Sequence, residues 1–135
     1  SPLVAAIVCY RKSVYHYQHM NTATLAKLVV DTLEDHKALQ ITELDVTELT
    51  DITDRMIICS ATSTRHAHSI ADNLITTAKA SGVKPLGVEG EEASEWILID
   101  LQDVVVHVML PEIRAFYSLE KLWGMTEAIR KEYAG

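Results

Sequence analysis

Two apolar runs separated by a short polar break constrain the fold of this 135-residue chain more than any other feature. The runs cover residues 96–101 and 104–110, and Gln102 and Asp103 lie between them. β-Branched apolar runs joined by a polar turn are typical of an antiparallel hairpin. Pro111 ends the second run, and the residues after it change to helical spacing. We therefore predict a hairpin followed directly by a helix.

Polar residues interrupt these strands where strand propensity does not favour them. They are Asp100, Asp103 and His107. For His107 we expect a neutral imidazole bonded to a neighbouring carboxylate, because no nucleophile that a general base would need is apparent. No Ser/His/Asp or Cys/His set is evident either, and Cys59 has the setting of a small core residue. The hairpin therefore does not predict a catalytic centre.

Trp96 opens the hairpin on the same strand face as Leu98 and Asp100. One interpretation packs it beneath the helix that carries Phe116 and Trp123. The other makes it an interface anchor, since tryptophan is rarely fully buried and is enriched at interfaces. The sequence leaves both interpretations open.

The preceding residues predict further elements of an α/β (α+β) fold. Asn21 can cap a first helix, and Ser63 can cap a second whose apolar stripe ends before Gly82. Strands are expected near residues 41–46 and 55–61, with a short edge strand near Pro85. The predicted order is αββαβββα, a mixed sheet of about five strands flanked by helices.

Composition excludes several classes of function. The chain has 12 basic and 19 acidic residues and a net charge of −7, which argues against direct DNA binding and favours a basic partner. Hydrophobic residues make up 48%, yet no apolar run approaches the roughly 20 residues of a membrane helix. Two cysteines predict neither a disulfide framework nor a zinc site. A reducing cytoplasmic location is expected.

The composition also divides the chain. Residues 1–19 contain no acidic residue, and we expect them to be a poorly ordered N-terminal extension or a cloning remnant. Residues 20–124 are predicted to form the single domain, and residues 125–135 a helical tail.

Two polar segments offer candidate ligand sites. Residues 60–66 join a buried strand to a helix N-terminus, where backbone amides could hold a phosphate or a carboxylate. The alternative is that Ser63 only caps the helix and Arg65 pairs with Asp51 or Asp54. Those two aspartates could also ligate magnesium together with Asp100 or Asp103. The competing interpretation is that these carboxylates close turns by bonding to local backbone.

Four segments, taken together, resemble the Iojap family, the ribosomal silencing factors. They are residues 49–54 (LTDITD), 60–66 (SATSTRH), 87–90 (GVEG) and 96–123, and the match runs in order from about Thr24 to Trp123. The resemblance implies a fold like that of nucleotidyltransferases, although their Gly-Ser loop and following Asp-x-Asp pair are missing here. Ala61 also departs from the family pattern, which often has glycine at this position.

The resemblance implies a non-enzymatic function. Members bind ribosomal protein number fourteen of the large subunit and block subunit joining when nutrients are scarce. No cofactor or metal is implied, and the free protein is expected to be a homodimer. The implied partner-binding residues are Trp96, Leu98, Asp100, Asp103 and His107. The implied polar signature, structural or of unknown role, comprises Asp51, Asp54, Ser60, Thr62, Ser63, Arg65 and His66.

Two alternatives belong to other classes of function. One is a nucleotidyltransferase-like enzyme that uses Asp51, Asp54, Asp100 and magnesium. The other is a dimeric scaffold with a different partner.

Overall fold

The computed structural model describes residues 20–117, and their side chains as far as Ala115. Within that range the elements are α1 (Thr22–Asp35), β1 (Leu39–Asp45), β2 (Arg55–Ser60), α2 (Thr64–Ala80), β3 (Gly87–Glu89), β4 (Trp96–Asp100), β5 (Val104–Met109) and α3 (Pro111–Tyr117). The predicted order αββαβββα is confirmed.

The strands form one mixed sheet in the order β1-β2-β5-β4-β3. Strands β2 and β5 are parallel, whereas the other neighbouring pairs are antiparallel. β2 and β5 lie inside the sheet and are almost wholly buried, as their continuous apolar runs predict. The short strand after Pro85 lies at an edge, where the missing N–H of a nearby proline is tolerated.

Helix ends are formed by the residues that the sequence predicts. The Asn21 side chain accepts a hydrogen bond from the Thr24 amide at 2.8 Å, and the Ser63 hydroxyl accepts one from the His66 amide at 3.1 Å. Each bond satisfies an amide that the first helical turn leaves without a partner. α2 ends at Ala80 with Ser81 as its C-cap, and Gly82 follows with a left-handed φ of 85°.

One face of the sheet packs against α1 and α2 and forms the main core. Alternate residues of β2 (Ile57, Cys59) and β4 (Ile97, Ile99) are completely buried there. The predicted stripe of α2 is also buried: Ala67, Ile70, Ala71, Leu74 and Ala78. Burial raises the pKa of the Cys59 thiol to about 12, so this cysteine is a neutral core residue, as predicted.

The opposite face, here called the second face, carries a smaller cluster. Its fully or nearly fully buried members are Val46, Met56, Ile58 and Met109. Leu44, Leu49, Trp96 and Ile113 pack against them, so α3 lies over this face. The second face therefore has a narrower apolar centre than the first.

Some predictions concern residues outside the described range. The N-terminal extension (1–19), the helical tail (125–135), Trp123 and the side chain of Phe116 belong to this group. Between residues 20 and 117, every helix is too short or too polar to cross a bilayer.

Candidate functional site

Trp96 and the residues around it occupy the second face of the hairpin. Alternation along β4 places Trp96, Leu98 and Asp100 on this face, because Ile97 and Ile99 point into the main core. In the antiparallel register, Trp96 lies opposite Met109 and Leu98 lies opposite His107. Trp96 and His107 are therefore diagonal neighbours on one face, within reach of each other's rings.

A hydrogen bond joins these two side chains. The Trp96 indole Nε1 donates to His107 Nδ1 at 2.9 Å, and the ring centroids are 5.9 Å apart at an interplanar angle of 46°. Because Nδ1 accepts this bond, the single proton of the neutral imidazole must be on Nε2. The expectation of a carboxylate partner for His107 was wrong, since its partner is the indole.

His107 is neutral because it is buried. It is 5% exposed, and burial lowers the pKa of its imidazole to about 4. Among the described residues, its buried Nε2 atom has no hydrogen-bond partner. A neutral ring at physiological pH keeps Nδ1 available as an acceptor for Trp96.

Trp96 itself is partly buried. It packs against the cluster formed by Met56, Ile58 and Met109, and Ile113 of α3 contacts the same cluster. Trp96 nevertheless remains partly exposed to solvent. Both interpretations of Trp96 therefore stay open, because the residue packs against this cluster and is also partly exposed.

The turn of the hairpin is tied to the start of β2. The Asp100 side chain accepts a hydrogen bond from the Gln102 amide at 2.8 Å, so this carboxylate closes a turn. The Asp103 carbonyl accepts bonds from the amides of Asp54 and Arg55, both at 3.0 Å. Asp103 therefore lies at the turn, apart from the second face that carries the other four predicted binding residues.

An acidic segment, here called the acidic loop, begins with Glu89 at the end of β3 and runs through residues 90–95 directly into Trp96. Its four glutamates are exposed: Glu89, Glu91, Glu92 and Glu95. Gly90 has a left-handed φ of 87°, and a Cβ there would collide with the Trp96 carbonyl oxygen. Buried Ser94 donates from its hydroxyl to the Glu91 carbonyl at 2.7 Å. These contacts hold a negatively charged segment next to the tryptophan.

Part of the polar signature forms the start of α2. The Thr62 amide donates to His66 Nδ1 at 2.9 Å, so His66 Nε2 carries the proton. Nε2 in turn donates to the His36 carbonyl at 2.8 Å. Together with the Ser63 cap, this network fixes the strand-to-helix connection against the end of α1. Thr62, Ser63 and His66 thus make structural contacts here.

The remaining signature residues do not join that network. Asp51 and Asp54 precede β2, whereas Arg65 follows it, so the two groups lie at opposite ends of the strand. Asp54 accepts a hydrogen bond from the Thr22 hydroxyl at 3.2 Å, which links it to the start of α1. The predicted ion pair between Arg65 and either aspartate is wrong: between residues 20 and 117, Arg65 forms no ion pair.

Arg114 is a buried residue whose role the sequence did not reveal. It extends from α3 across the second face and donates to the Ser60 hydroxyl at 2.9 Å and to the Thr42 hydroxyl at 3.0 Å. Arg114 is only 7% exposed. The only feature of the sequence that could have indicated its burial is that it follows Ile113 in a largely apolar helix. The contact explains the polar Ser60 at the end of a buried strand.

Among the described residues, potential metal ligands come together in a group of three at one place. The one group of three potential ligands among residues 20–117 is His68, Asp72 and Glu91, all exposed. It lies in a shallow cleft of about 620 Å³ that Arg65 also lines. Asp51, Asp54 and Asp100 do not form such a group of three, although the Asp54 amide donates to the Asp103 carbonyl at 3.0 Å.

The fold and this surface define a class: an acidic α+β domain with a five-stranded mixed sheet and a partly exposed tryptophan beside an acidic loop. Comparison with known proteins gives the family. Residues 19–134 match the family described as RsfS, ribosomal silencing factor during starvation. The chain belongs to this family.

Relatives agree with this assignment. Ribosomal silencing factor RsfS of Chromobacterium violaceum is 43% identical over 105 residues, which cover 78% of this chain and 86% of the relative. A crystal structure of a C. violaceum protein, 43% identical, superposes with a TM-score of 0.76 over 78% of this chain and 88% of that one. A mouse relative, named mitochondrial assembly of ribosomal large subunit protein 1, is 35% identical over 101 residues, which cover 73% of this chain and 44% of that protein.

Proposed function

We propose that this protein binds the large ribosomal subunit, through ribosomal protein number fourteen, and sterically blocks joining of the small subunit. Translation would be repressed in this way when nutrients are limiting. The proposal places the protein in the cytoplasm with the ribosomes. The observation that carries it is the partly exposed Trp96 on the second face, flanked by the acidic loop, in a chain of the silencing-factor family.

Charge supports a ribosomal partner. Ribosomal proteins are basic because they contact the RNA phosphate backbone. The chain carries a net charge of −7, and four exposed glutamates of the acidic loop lie beside Trp96. Opposite potentials accelerate association and fix the orientation of two surfaces, while a buried aromatic anchor supplies much of the affinity. Both features occur here on adjacent parts of one surface.

The names of two relatives also support the proposal. One is called a ribosomal silencing factor, and the mouse relative is named for assembly of the ribosomal large subunit. A steric mechanism requires only that the bound domain occupy the joining face. Leu98 and Asp100 share the second face with Trp96 and are included in the proposed contact surface. Asp103 is assigned to its margin.

The proposal extends to self-association. We include in the proposal that the free protein is a homodimer, whose interface uses the second face. Dimer formation and ribosome binding would then compete for Trp96. Sedimentation velocity over a range of protein concentrations tests this, since Trp96→Ala should shift the wild-type dimer toward monomer.

A subunit-joining assay tests the proposed function. Purified large subunits are incubated with the protein, small subunits are added, and joining is followed by light scattering. Wild type should reduce joining, and Trp96→Ala should not. Leu39→Ala is a matched control, because Leu39 is an exposed apolar residue, 46% accessible, on the edge strand at the other side of the sheet. Normal joining in the presence of saturating wild type would contradict the proposal.

The enzymatic alternative makes a separate prediction. A ligand that binds only the native state raises its apparent stability. Millimolar nucleotide with Mg²⁺ should therefore leave the Tm of this protein unchanged if the protein acts by steric binding. A nucleotide-dependent rise in Tm that requires Mg²⁺ would instead favour an enzyme.

A further inference from the structure

We propose that His107 is a positioning residue: it contacts no partner itself and sets the orientation of the Trp96 indole ring for docking. This inference rests on the proposed function, because it assumes that Trp96 is the docking anchor. His107, which the family resemblance implied to contact the partner, would instead act on the partner only through Trp96.

Burial excludes His107 from direct contact in this conformation. Its side chain is 5% exposed, and its Nε2 atom is inaccessible. β5 carries it between β2 and β4, which pair with β5 on both sides. A residue on a central strand is held more firmly than one on an edge or in a loop. His107 is therefore well placed as a fixed acceptor beneath a partly exposed ring.

The hydrogen bond restricts the indole in a way that apolar packing does not. Contact with Met109 and Ile58 favours burial of part of the ring but is not directional. The 2.9 Å bond from Nε1 to His107 Nδ1 specifies which edge of the indole points inward. The remaining edge is then presented in a single orientation. A partner that binds a preoriented ring avoids the entropy loss of ordering it.

Histidine is a poor choice for stability alone at this position. Since Nδ1 accepts from the indole, Nε2 must hold a proton, and this buried donor has no acceptor among the described residues. An unsatisfied buried donor is destabilising, and an apolar ring of similar shape would avoid the penalty. Phenylalanine, however, has no acceptor atom for the Trp96 indole N–H, whereas histidine provides Nδ1. The arrangement is consistent with a site that sacrifices some stability for orientation.

Two variants separate orientation from stability. His107→Phe keeps a ring but removes the acceptor, whereas His107→Asn places its Oδ1 near the position of Nδ1. Trp96→Ala serves as the loss-of-anchor reference. All are made in a Trp123→Phe background, because the chain has two tryptophans and the emission must report Trp96 alone. Each protein is measured for Tm and for affinity for purified large subunits. The emission maximum is measured for the background protein and the two His107 variants, which retain Trp96.

His107→Phe should have a Tm equal to or above that of the background protein, a red-shifted Trp96 emission and about tenfold weaker binding, the scale expected when one side chain must be ordered on binding. His107→Asn should recover most of the affinity and the original emission. A purely structural role predicts instead that affinity falls only together with Tm.

Each other outcome overturns a distinct claim. If His107→Phe binds like the background protein while Trp96→Ala does not bind, His107 is not a positioning residue, but the docking face stands. If His107→Phe loses Tm and affinity together and His107→Asn restores neither, the role is structural. If Trp96→Ala binds normally, the anchor is wrong, and the inference about His107 falls with it.

Discussion

The two faces of the sheet differ in what they bury. On the first face, alternate residues of β2, β4 and β5 are aliphatic or Cys59, and α1 and α2 cover them completely. On the second face, the apolar centre is small, and His107, Ser60 and Arg114 are buried beside it. Apolar packing is nondirectional, whereas buried hydrogen bonds fix particular orientations. The first face thus mainly stabilises the fold, whereas the hydrogen bonds of the second face fix the orientation of particular side chains.

The largest expected difference between the two faces is in stability, and it can be measured at two neighbouring residues of β4. Ile99 is completely buried on the first face, whereas Leu98 is partly buried on the second. Ile99→Ala should lower the free energy of unfolding by about 2–5 kcal/mol, because it leaves a cavity in a packed core. Leu98→Ala should cost roughly 1 kcal/mol, since its partly exposed side chain buries less apolar area. Urea denaturation measures both values.

The Leu98→Ala and Ile99→Ala variants should also differ in their affinity for large ribosomal subunits. At temperatures where both variants are folded, Leu98→Ala should weaken association with large subunits, and Ile99→Ala should not. Equal losses of stability, or a binding defect in Ile99→Ala alone, would remove the distinction between a stabilising face and a docking face.

Low pH should reduce the stability of the protein through His107, which is buried on the second face. Burial lowers the pKa of His107 from 6.5 to about 4, so below pH 6.5 the unfolded state binds a proton that the folded state does not. The free energy of unfolding should therefore fall between pH 6.5 and about 4, by on the order of 3 kcal/mol through this residue. Denaturation at several pH values would show the effect as the difference between wild type and His107→Phe. Parallel pH profiles for the two proteins would contradict it.

Two glycines provide a matched pair near the second face. Gly90 has a positive φ, and a Cβ there would meet the Trp96 carbonyl; Gly87 has neither restriction. Gly90→Ala should lower the free energy of unfolding by about 2 kcal/mol and weaken subunit binding, because the acidic loop must move. Gly87→Ala should stay within about 0.5 kcal/mol of wild type. Thermal denaturation distinguishes the two variants, and equal effects would show that the loop is not tightly fixed.

The smallest effect is expected at the start of α2. Ser63→Ala removes the acceptor of the His66 amide bond and should cost about 1 kcal/mol. Ser69→Ala is the matched control, since Ser69 is exposed within the same helix, and its effect should be below about 0.5 kcal/mol. A larger effect at Ser69 than at Ser63 would mean that the cap contributes little to stability.

Local patterns predicted the fold well. The caps at Asn21 and Ser63, the terminal Gly82, the stripe of α2 and the hairpin all depend on residues close together in the chain. Alternation also placed Trp96 and Leu98 on one face. Periodicity carries this information because each helix or strand has a fixed repeat.

Contacts between distant residues could not be predicted in the same way. Arg114 bonds to Thr42 and Ser60, and Asp54 bonds to Thr22, across separations of 72, 54 and 32 residues. No local pattern specifies such partners. The expected ion pair of Arg65 with Asp51 or Asp54 was wrong for a related reason. Those residues lie close in the sequence, but β2 places Arg65 at one end of the strand and the aspartates at the other. The sequence did not reveal the indole partner of His107, because the contact depends on the register of β4 and β5, which makes Trp96 and His107 diagonal neighbours.

Co-sedimentation with purified large ribosomal subunits at physiological salt tests the central claim most directly. Wild type, Trp96→Ala and Leu39→Ala are compared at equal concentrations. The account predicts that wild type and Leu39→Ala pellet with the subunits and that Trp96→Ala remains in the supernatant. Pelleting of Trp96→Ala would refute the docking face, and failure of wild type to pellet would contradict ribosome binding itself.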